Sequence, residues 1–398
     1  MEPQGGSLLL VRDNPLNRGG SYTKFTGFSR KMTTPRTVIT LGNGQLGLML
    51  GKAAKKLEIP FAALSLPDAW DWLKSARADQ HIVTFEQEHV DELLLRQLEA
   101  KGIPSFPSWA SFEHLKSKRR QKEFLVSSGI PTSPFLPWGT GVDAFLREHD
   151  GGVLKAGRGG YDGKGVWLLD AHNRTKDGES GAAIATRAEQ PYLEQRVRFD
   201  EEIAAVVCRS RLGEVEIYPT VRSIQVDGIC FQVEYTREYA GSPAARRAGE
   251  IAAEIARKLD YVGVLAVEFF RVGDDVLVNE IAPRVHNSGH FTIDVCAGSQ
   301  FENHLRAGLG LPLARTEPVA AAAVMVNLLW PPSEKEFAPL FAKLTCGPAW
   351  PDHVKLHWYG KSEVRPRRKM GHFTVYGASL DECRETARQI LATRWVQG

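Results

Sequence analysis

Hydrophobic and polar positions settle into a folding pattern only from Arg36 onward. TVITLG is a short continuous apolar run and reads as a buried strand, GNGQLG as a turn, and LGLMLGKAAKKLEI as an amphipathic helix. FAALSL is a second strand and HIVTF a third, followed by the helix VDELLLRQLEAKG and a short strand at IPSF. Strands alternating with helices predict parallel βαβ units, so residues 36–115 are expected to form an open parallel α/β domain.

The texture changes at 116. A helix, LKSKRRQKEFLVSSG, leads through Pro131, Pro134 and Pro137 into GGVLKAG, KGVWLLD, YLEQRV, EEIAAVVCRS, EVEIYPTVRSIQVDG and ICFQVEYTREYA. These segments predict antiparallel strands. The helix SPAARRAGEIAAEIARKLD follows, and VGVLAVEFFRV with DDVLVNEIA has the pattern of a hairpin. Residues 312–398 offer AAAVMVNLL, VKLHWYG and GHFTVYG as strands and SLDECRETARQILAT as a closing helix. The expected organisation is α/β and α+β: a parallel domain over 36–115, a mixed domain over 116–311 and a small β-rich domain over 312–398. Residues 1–35 show no periodicity and no signal-peptide core, and read as a disordered extension.

Composition narrows the function classes. Of 398 residues, 43% are hydrophobic and 24% charged, which suits a soluble multi-domain chain. A net charge of +3 gives no bulk electrostatic case for a nucleic acid or a membrane surface. Basic runs at Lys116–Lys122 and Arg365–Lys369 could hold a phosphate or face solvent. The five cysteines lack CxxC spacing, which fits a reducing cytoplasm and argues against a zinc site.

Four motifs carry chemistry. Gly42-Asn43-Gly44-Gln45-Leu46-Gly47 lies between a strand and a helix, and three readings stand: a dinucleotide site, a structural turn, or a seat for a phosphate on a non-nucleotide substrate. The third is preferred, because no acidic residue sits at a strand end about 20 positions on. Lys155–Gly165 holds five glycines in nine residues between two strands. That density is costly in backbone entropy and suits a flap whose amides close over a polyphosphate. Glu268 and Glu280 lie in apolar strands of one hairpin and should face each other, an arrangement that calls for a cation, with Mg2+ the natural choice. Arg284-Val285-His286-Asn287-Ser288-Gly289-His290 follows at once and suits an anionic substrate.

At this point the chain resembles the ATP-grasp enzymes, and within them the 5-(carboxyamino)imidazole ribonucleotide synthetases of purine biosynthesis. The resemblance spans about residues 37–380 and rests on GNGQLG, LKAGRGGYDGKG, YLEQRV, VLAVEFF, VNEIAPRVHNSGHFTID and GKSEVRPRRKMGH. It implies an ATP-grasp fold and an ATP- and Mg2+-dependent ligase that joins bicarbonate to 5-aminoimidazole ribonucleotide through carboxyphosphate. It further implies a homodimer whose product passes to a carboxyaminoimidazole ribonucleotide mutase. By the same resemblance ATP lies against Lys118, Lys155, the flap from Gly160 through Tyr161, Asp162, Gly163, Lys164 and Gly165 to Val166, and the run Glu194, Gln195, Arg196 and Val197. Glu202, Gln225, Asn279 and Glu280 complete that site, with Glu268 and Glu280 on the metal. Arg284, His286 and Asn287 are expected at bicarbonate or carboxyphosphate, and Tyr161, Asp162 and Lys164 at the ribonucleotide, where Asp162 orients the amine. Lys361 and Arg368, with amides near Gln45 and Leu46, are expected at the ribonucleotide phosphate, and Glu86 nearby.

Three departures stand out. Lys118 replaces the arginine usual in the family, and Gln225 a common histidine. Between Ala63 and Glu86 the first domain is shorter than the family pattern, as though a strand–helix unit were missing or compressed, with Trp70 and Trp72 in an unusual place. Another purine-pathway ATP-grasp reaction, using formate and glycinamide ribonucleotide, and a non-catalytic nucleotide sensor are the competing readings.

Overall fold

In the computed structural model, which describes residues 36–160, 164–330, 349–361 and 366–394, the apolar runs become three sheets. The first joins β1 (Thr37–Leu41), β2 (Phe61–Leu64) and β3 (His81–Phe85) in the order β2-β1-β3, all parallel. The segment that is short against the family pattern holds one helix, Leu66–Ser75, which carries the chain from β2 to β3. Ser65 caps it, its hydroxyl accepting the Asp68 N–H at 3.3 Å, and Pro67 fits the first turn, where no N–H is needed. The two tryptophans pin this short helix in place. Trp70 donates its indole N–H to Asp91, and the Trp72 ring meets His81 edge-on at 5.3 Å. The strand expected at IPSF shrinks to a single bridge between Ser105 and Val83, because Pro104 and Pro107 lack the N–H groups a ladder needs.

The second sheet holds β4 (Phe135–Pro137), β5 (Gly152–Lys155), β6 (Val166–Leu169) and β7 (Tyr192–Glu194) in the order β4-β7-β5-β6, all antiparallel. The glycine-rich flap is the connection between β5 and β6. The third sheet has nine strands: β8 (Glu201–Arg209), β9 (Val215–Ile217), β10 (Val221–Val226), β11 (Ile229–Thr236), β12 (Gly263–Val272), β13 (Asp275–Ala282), β14 (Ala322–Leu329), β15 (Val354–Trp358) and β16 (Lys369–Gly377). Its order is β13-β12-β8-β10-β11-β14-β16-β15, with β9 on β8. The strands of 312–398 therefore continue the central sheet through the β11–β14 ladder.

One face of the β12–β13 hairpin is a core. Val267, Phe269 and Ile281 are fully buried against the helix Pro243–Lys258, whose Ala244, Ala248, Ala252 and Ala256 let it lie close to the sheet. Burial of each large side chain there contributes about 1.5–3 kcal/mol. Because side chains alternate across a strand, the same register turns Glu268 to the opposite face.

The GNGQLG turn is explained by a carboxylate. Helix Gln45–Lys56 starts at Gly44 without a side-chain cap of its own. Parallel pairing of Leu41 with Phe85 brings the ends of β1 and β3 together, so Glu86 projects under the helix start. One Glu86 oxygen accepts the Gly44 N–H and the other accepts the Gly47 N–H at 2.5 Å. A Cβ at Gly42, whose φ is +109°, would lie 2.5 Å from Glu86 Cγ, and one at Gly44 would lie 2.7 Å from its oxygen. The glycines make room for Glu86, and the chain's own anion, rather than an external phosphate, takes the amides of Gly44 and Gly47. Glu86→Ala should strand both donors and lower stability by about 1–3 kcal/mol. Inorganic phosphate should then raise the melting temperature of the variant more than that of the wild type. An equal response in a thermal-shift assay would refute this account of the turn.

Candidate active site

The hairpin puts Glu268 directly opposite Glu280, with Ala204 of β8 as the small neighbour on the other side of Glu268. A bulge follows at Glu268/Phe269: Glu268 pairs with Glu280 and Phe269 with Val278, so Asn279 is the extra residue. That insertion turns Asn279 and Glu280 toward the same lysines. Lys118, at the start of helix Lys118–Ser127, donates to Glu280 at 2.7 Å, and Lys155, at the end of β5, donates to the Asn279 side-chain oxygen at 3.0 Å.

Two facing carboxylates leave one of them uncompensated. Burial, then the charges of Glu280 and Glu202, push the Glu268 carboxyl up to about 8, against Lys118 and Lys369. Burial is the largest single influence on the Lys118 ammonium and lowers it, yet Glu280, Glu88 and Glu268 together hold that group above its ordinary value. Glu202, at the start of β8, is raised by burial. The donor set is all hard oxygen with a charge deficit at its centre, which fits Mg2+.

Lys155 also faces Glu194, at 2.9 Å, and the other Glu194 oxygen lies 3.0 Å from Lys122. Glu194 is 2% exposed, so its carboxylate is turned inward between two lysines and away from open space. Beyond it Gln195 and Val197 are half-buried and Arg196 is exposed. At the flap, Ala156 donates its N–H to the Gly165 carbonyl at 2.8 Å, and Lys118 its N–H to the Gly157 carbonyl at 2.9 Å, which ties the base of the flap to the helix start. A Cβ at Gly160 would lie 2.7 Å from the Lys164 carbonyl, so this base closes only on glycine. Lys164 and Val166 are exposed at the flap's return, while Tyr161, Asp162 and Gly163 lie outside the described residues. Gln225 donates to Ser223 at 2.9 Å on its own strand.

The segment after β13 presents Arg284 and His286. Arg284 donates to Glu88 at 2.7 Å and to the Val285 carbonyl, and its buried Nε has no partner among the described residues. Burial, then the cations Arg284 and Lys369, hold the His286 imidazole well below its ordinary value, so it is neutral at pH 7. Its Nδ1 accepts the Ser288 N–H at 3.3 Å, which places the proton on Nε2, 3.7 Å from Glu268. Asn287 behaves otherwise than expected. Its side-chain amide is buried and forms a reciprocal pair with Asn327 of β14, at 3.0 and 2.6 Å, which anchors the segment to the central sheet.

The late basic motif reaches the first glycine motif: Lys361 donates to Gln45 Oε1 at 2.9 Å and to the Lys369 carbonyl. Gln45 in turn meets His290, whose other ring nitrogen meets Gln300. Leu46 packs against the core, and Arg368 is half-buried beside Lys369. Sequence reasoning missed Lys122, Glu88 and Asn327. Lys122 had a signal: Lys118, Gln121, Lys122 and Leu125 recur at helical spacing, so the run KSKRRQK has a face that points inward rather than to solvent.

Residues 124–301 match the ATP-grasp domain, and 323–386 match the phosphoribosylaminoimidazole carboxylase C-terminal domain. The N5-carboxyaminoimidazole ribonucleotide synthase of Synechococcus elongatus is 35% identical over 377 residues, covering 88% of this chain and 93% of its own. The N5-carboxyaminoimidazole ribonucleotide synthetase of Thermus thermophilus superposes with a TM-score of 0.74 at 35% identity, over 89% of this chain and 98% of that one. The N5-carboxyaminoimidazole synthase of Aspergillus clavatus, solved with ADP and 5-aminoimidazole ribonucleotide, gives a TM-score of 0.75 at 27% identity, over 91% and 99%. At 35% identity over most of both chains, this chain belongs to the N5-carboxyaminoimidazole ribonucleotide synthases of the ATP-grasp superfamily.

Proposed function

We propose that this chain carboxylates 5-aminoimidazole ribonucleotide with bicarbonate at the expense of ATP, forming N5-carboxyaminoimidazole ribonucleotide, ADP and phosphate in purine biosynthesis. The observation that carries the reading is the Glu268–Glu280 pair, set beside Lys118 and Lys155 and followed at once by Arg284 and His286. Glu268 and Glu280 hold Mg2+, which when bound neutralises charge on the ATP polyphosphate. Lys155, Lys118 and the flap Gly160–Val166 take the phosphates. The main chain of Glu194–Val197 and the Val197 side chain take the adenine, since the Glu194 carboxylate is already committed to two lysines. Glu202 takes the ribose, and Gln225 lies at the edge of the nucleotide site.

Bicarbonate needs activation because hydroxide is a poor leaving group. A bicarbonate oxygen attacks the γ-phosphorus, ADP leaves, and carboxyphosphate forms. The exocyclic amine of the ribonucleotide then bonds to the carboxyl carbon, phosphate departs, and the amine loses a proton. Arg284 stabilises the anion, with its unpaired Nε as a further donor beyond the group already on Glu88. Neutral His286 offers an N–H from Nε2 without adding charge beside Glu268. Asn287 supports this segment from behind through Asn327. Tyr161, Asp162 and Lys164 hold the ribonucleotide, Asp162 orienting the amine, while Lys361 and Arg368 hold its phosphate, with Gln45, Leu46 and Glu86 alongside.

Among the described residues no helix is long and apolar enough to cross a membrane. The family resemblance supports a cytoplasmic homodimer that feeds a carboxyaminoimidazole ribonucleotide mutase, with no nucleic acid partner.

The decisive experiment is ADP release with and without 5-aminoimidazole ribonucleotide and bicarbonate: release that ignores both substrates rejects the reading. Glu280→Gln should cut turnover by about a hundredfold or more, and an unchanged rate would remove Glu280 from the metal site. Lys361→Ala should raise KM for the ribonucleotide about tenfold or more and leave KM for ATP alone; wild-type kinetics at low ribonucleotide would displace Lys361 from the phosphate. Metal and pH should be coupled. From pH 4.5 to about 8 the folded protein keeps a proton on Glu268 that the unfolded chain has lost, so without metal this group's stabilisation is lost as pH rises through that window. Mg2+ relieves the penalty and should raise the melting temperature more at about pH 8 than at about pH 5, and a pH-independent shift would contradict the assignment.

A further inference from the structure

Lys122 is an unusual residue to find beneath a nucleotide cleft. It is 1% exposed, and its ammonium donates to Thr132 Oγ1 at 2.7 Å, to Ser133 Oγ at 3.0 Å and to the Val278 carbonyl at 3.3 Å, besides facing Glu194 at 3.0 Å. With those partners and no open face it does not reach a ligand. A buried ammonium is costly to desolvate, and a methionine of similar length would fill the same space. Its charge, rather than its volume, therefore needs an explanation.

That explanation lies one carboxylate away. Glu194 is 2% exposed and shares its two oxygens between Lys122 and Lys155, with Ser133 at 3.3 Å. Among the described residues Lys155 has two polar partners, Glu194 at 2.9 Å and Asn279 at 3.0 Å, which leaves one of its three N–H groups to point elsewhere. Were Lys155 the only counter-ion of a buried carboxylate, its ammonium would be drawn wholly onto Glu194. We propose that Lys122 is a positioning residue for the nucleotide: by sharing the charge of Glu194 it keeps the Lys155 ammonium poised at the cleft for a phosphate oxygen. The inference rests on the reading of Lys155 as a phosphate ligand.

The ionisation states agree with this division. Burial opposes the Glu194 charge, but Lys155 and then Lys122 hold its carboxyl down at about 2, so it stays ionised at every working pH. Burial pulls Lys122 down to about 8, with repulsion from Lys155 against the pull of Glu194 and Glu280. Lys122 is still mainly protonated at pH 7.

The test is a set of variants of the full chain, read by steady-state ADP release with ATP and 5-aminoimidazole ribonucleotide varied in turn. Lys122→Met leaves Glu194 to Lys155 alone and should raise KM for ATP about tenfold while KM for the ribonucleotide stays within about twofold. Lys122→Met with Glu194→Gln removes both buried charges, releases Lys155 again, and should restore KM for ATP to within about threefold of wild type. The double variant also serves if Lys122→Met alone does not fold, because it buries no unpaired charge. A folded Lys122→Met protein with unchanged KM for ATP, equal rises for both substrates, or a double variant still impaired tenfold for ATP would each overturn the inference. Lys155→Ala separates the two levels: unchanged KM for ATP there rejects the phosphate role of Lys155 itself. A raised KM in Lys155→Ala beside a normal Lys122→Met rejects only the role of Lys122.

Discussion

Much of this protein is arranged around a repulsion. Two glutamates face each other across the β12–β13 hairpin, and among the described residues nothing fully offsets both. Isolated carboxylates so placed would drive the hairpin apart or take up a proton, and Glu268 does the second. The pair survives because the reverse face of the same strands, Val267, Phe269 and Ile281, is locked into an apolar core against the alanine-rich helix Pro243–Lys258. Stability is supplied on one face of the sheet and a charge deficit is held on the other. A cation and a polyphosphate are the chemistry that resolves such a deficit.

The surrounding charges are graded rather than merely numerous. Lys118 is bound to Glu280, Lys155 is divided between Glu194 and Asn279, and Lys122 is wholly internal. The β-bulge at Asn279 makes this grading possible, since a regular strand would send Asn279 and Glu280 to opposite faces. Arg284 follows the same logic in the next segment, with one edge on Glu88 and its Nε unpaired. Neutral amide pairing fixes what must not move: Asn287 with Asn327 holds the segment after β13 to β14 without adding charge.

Local spacing made a good part of this legible. Alternation of strand and helix through HIVTF predicted the parallel sheet, and apolar strands each interrupted by one glutamate predicted the facing pair, which the register reproduces. What stayed hidden depended on long-range contacts. Helix Leu66–Ser75 was missed because tryptophans and a proline obscure its periodicity, and its support comes from Asp91 and His81. The glycine motif at 42–47 was open to three readings because its partner, Glu86, lies on another strand end. Lys122 was hidden inside a basic run whose inward face shows only when the helix is docked.

The sequence by itself determined which residue types could meet: its period-two strands, its glycine-dense turns and its hairpin glutamates restrict the chain to an anion- and cation-handling cleft of one family. Those features are local, set by backbone sterics and by side-chain alternation within one element. Only the tertiary structure decided which charges are already satisfied. That depends on distances between elements far apart in the chain, such as Glu86 to the amides of Gly44 and Gly47, Glu194 between Lys122 and Lys155, and Gln45 to Lys361. Coulomb and hydrogen-bond energies fall off over a few ångströms, a scale that spacing along a chain cannot specify.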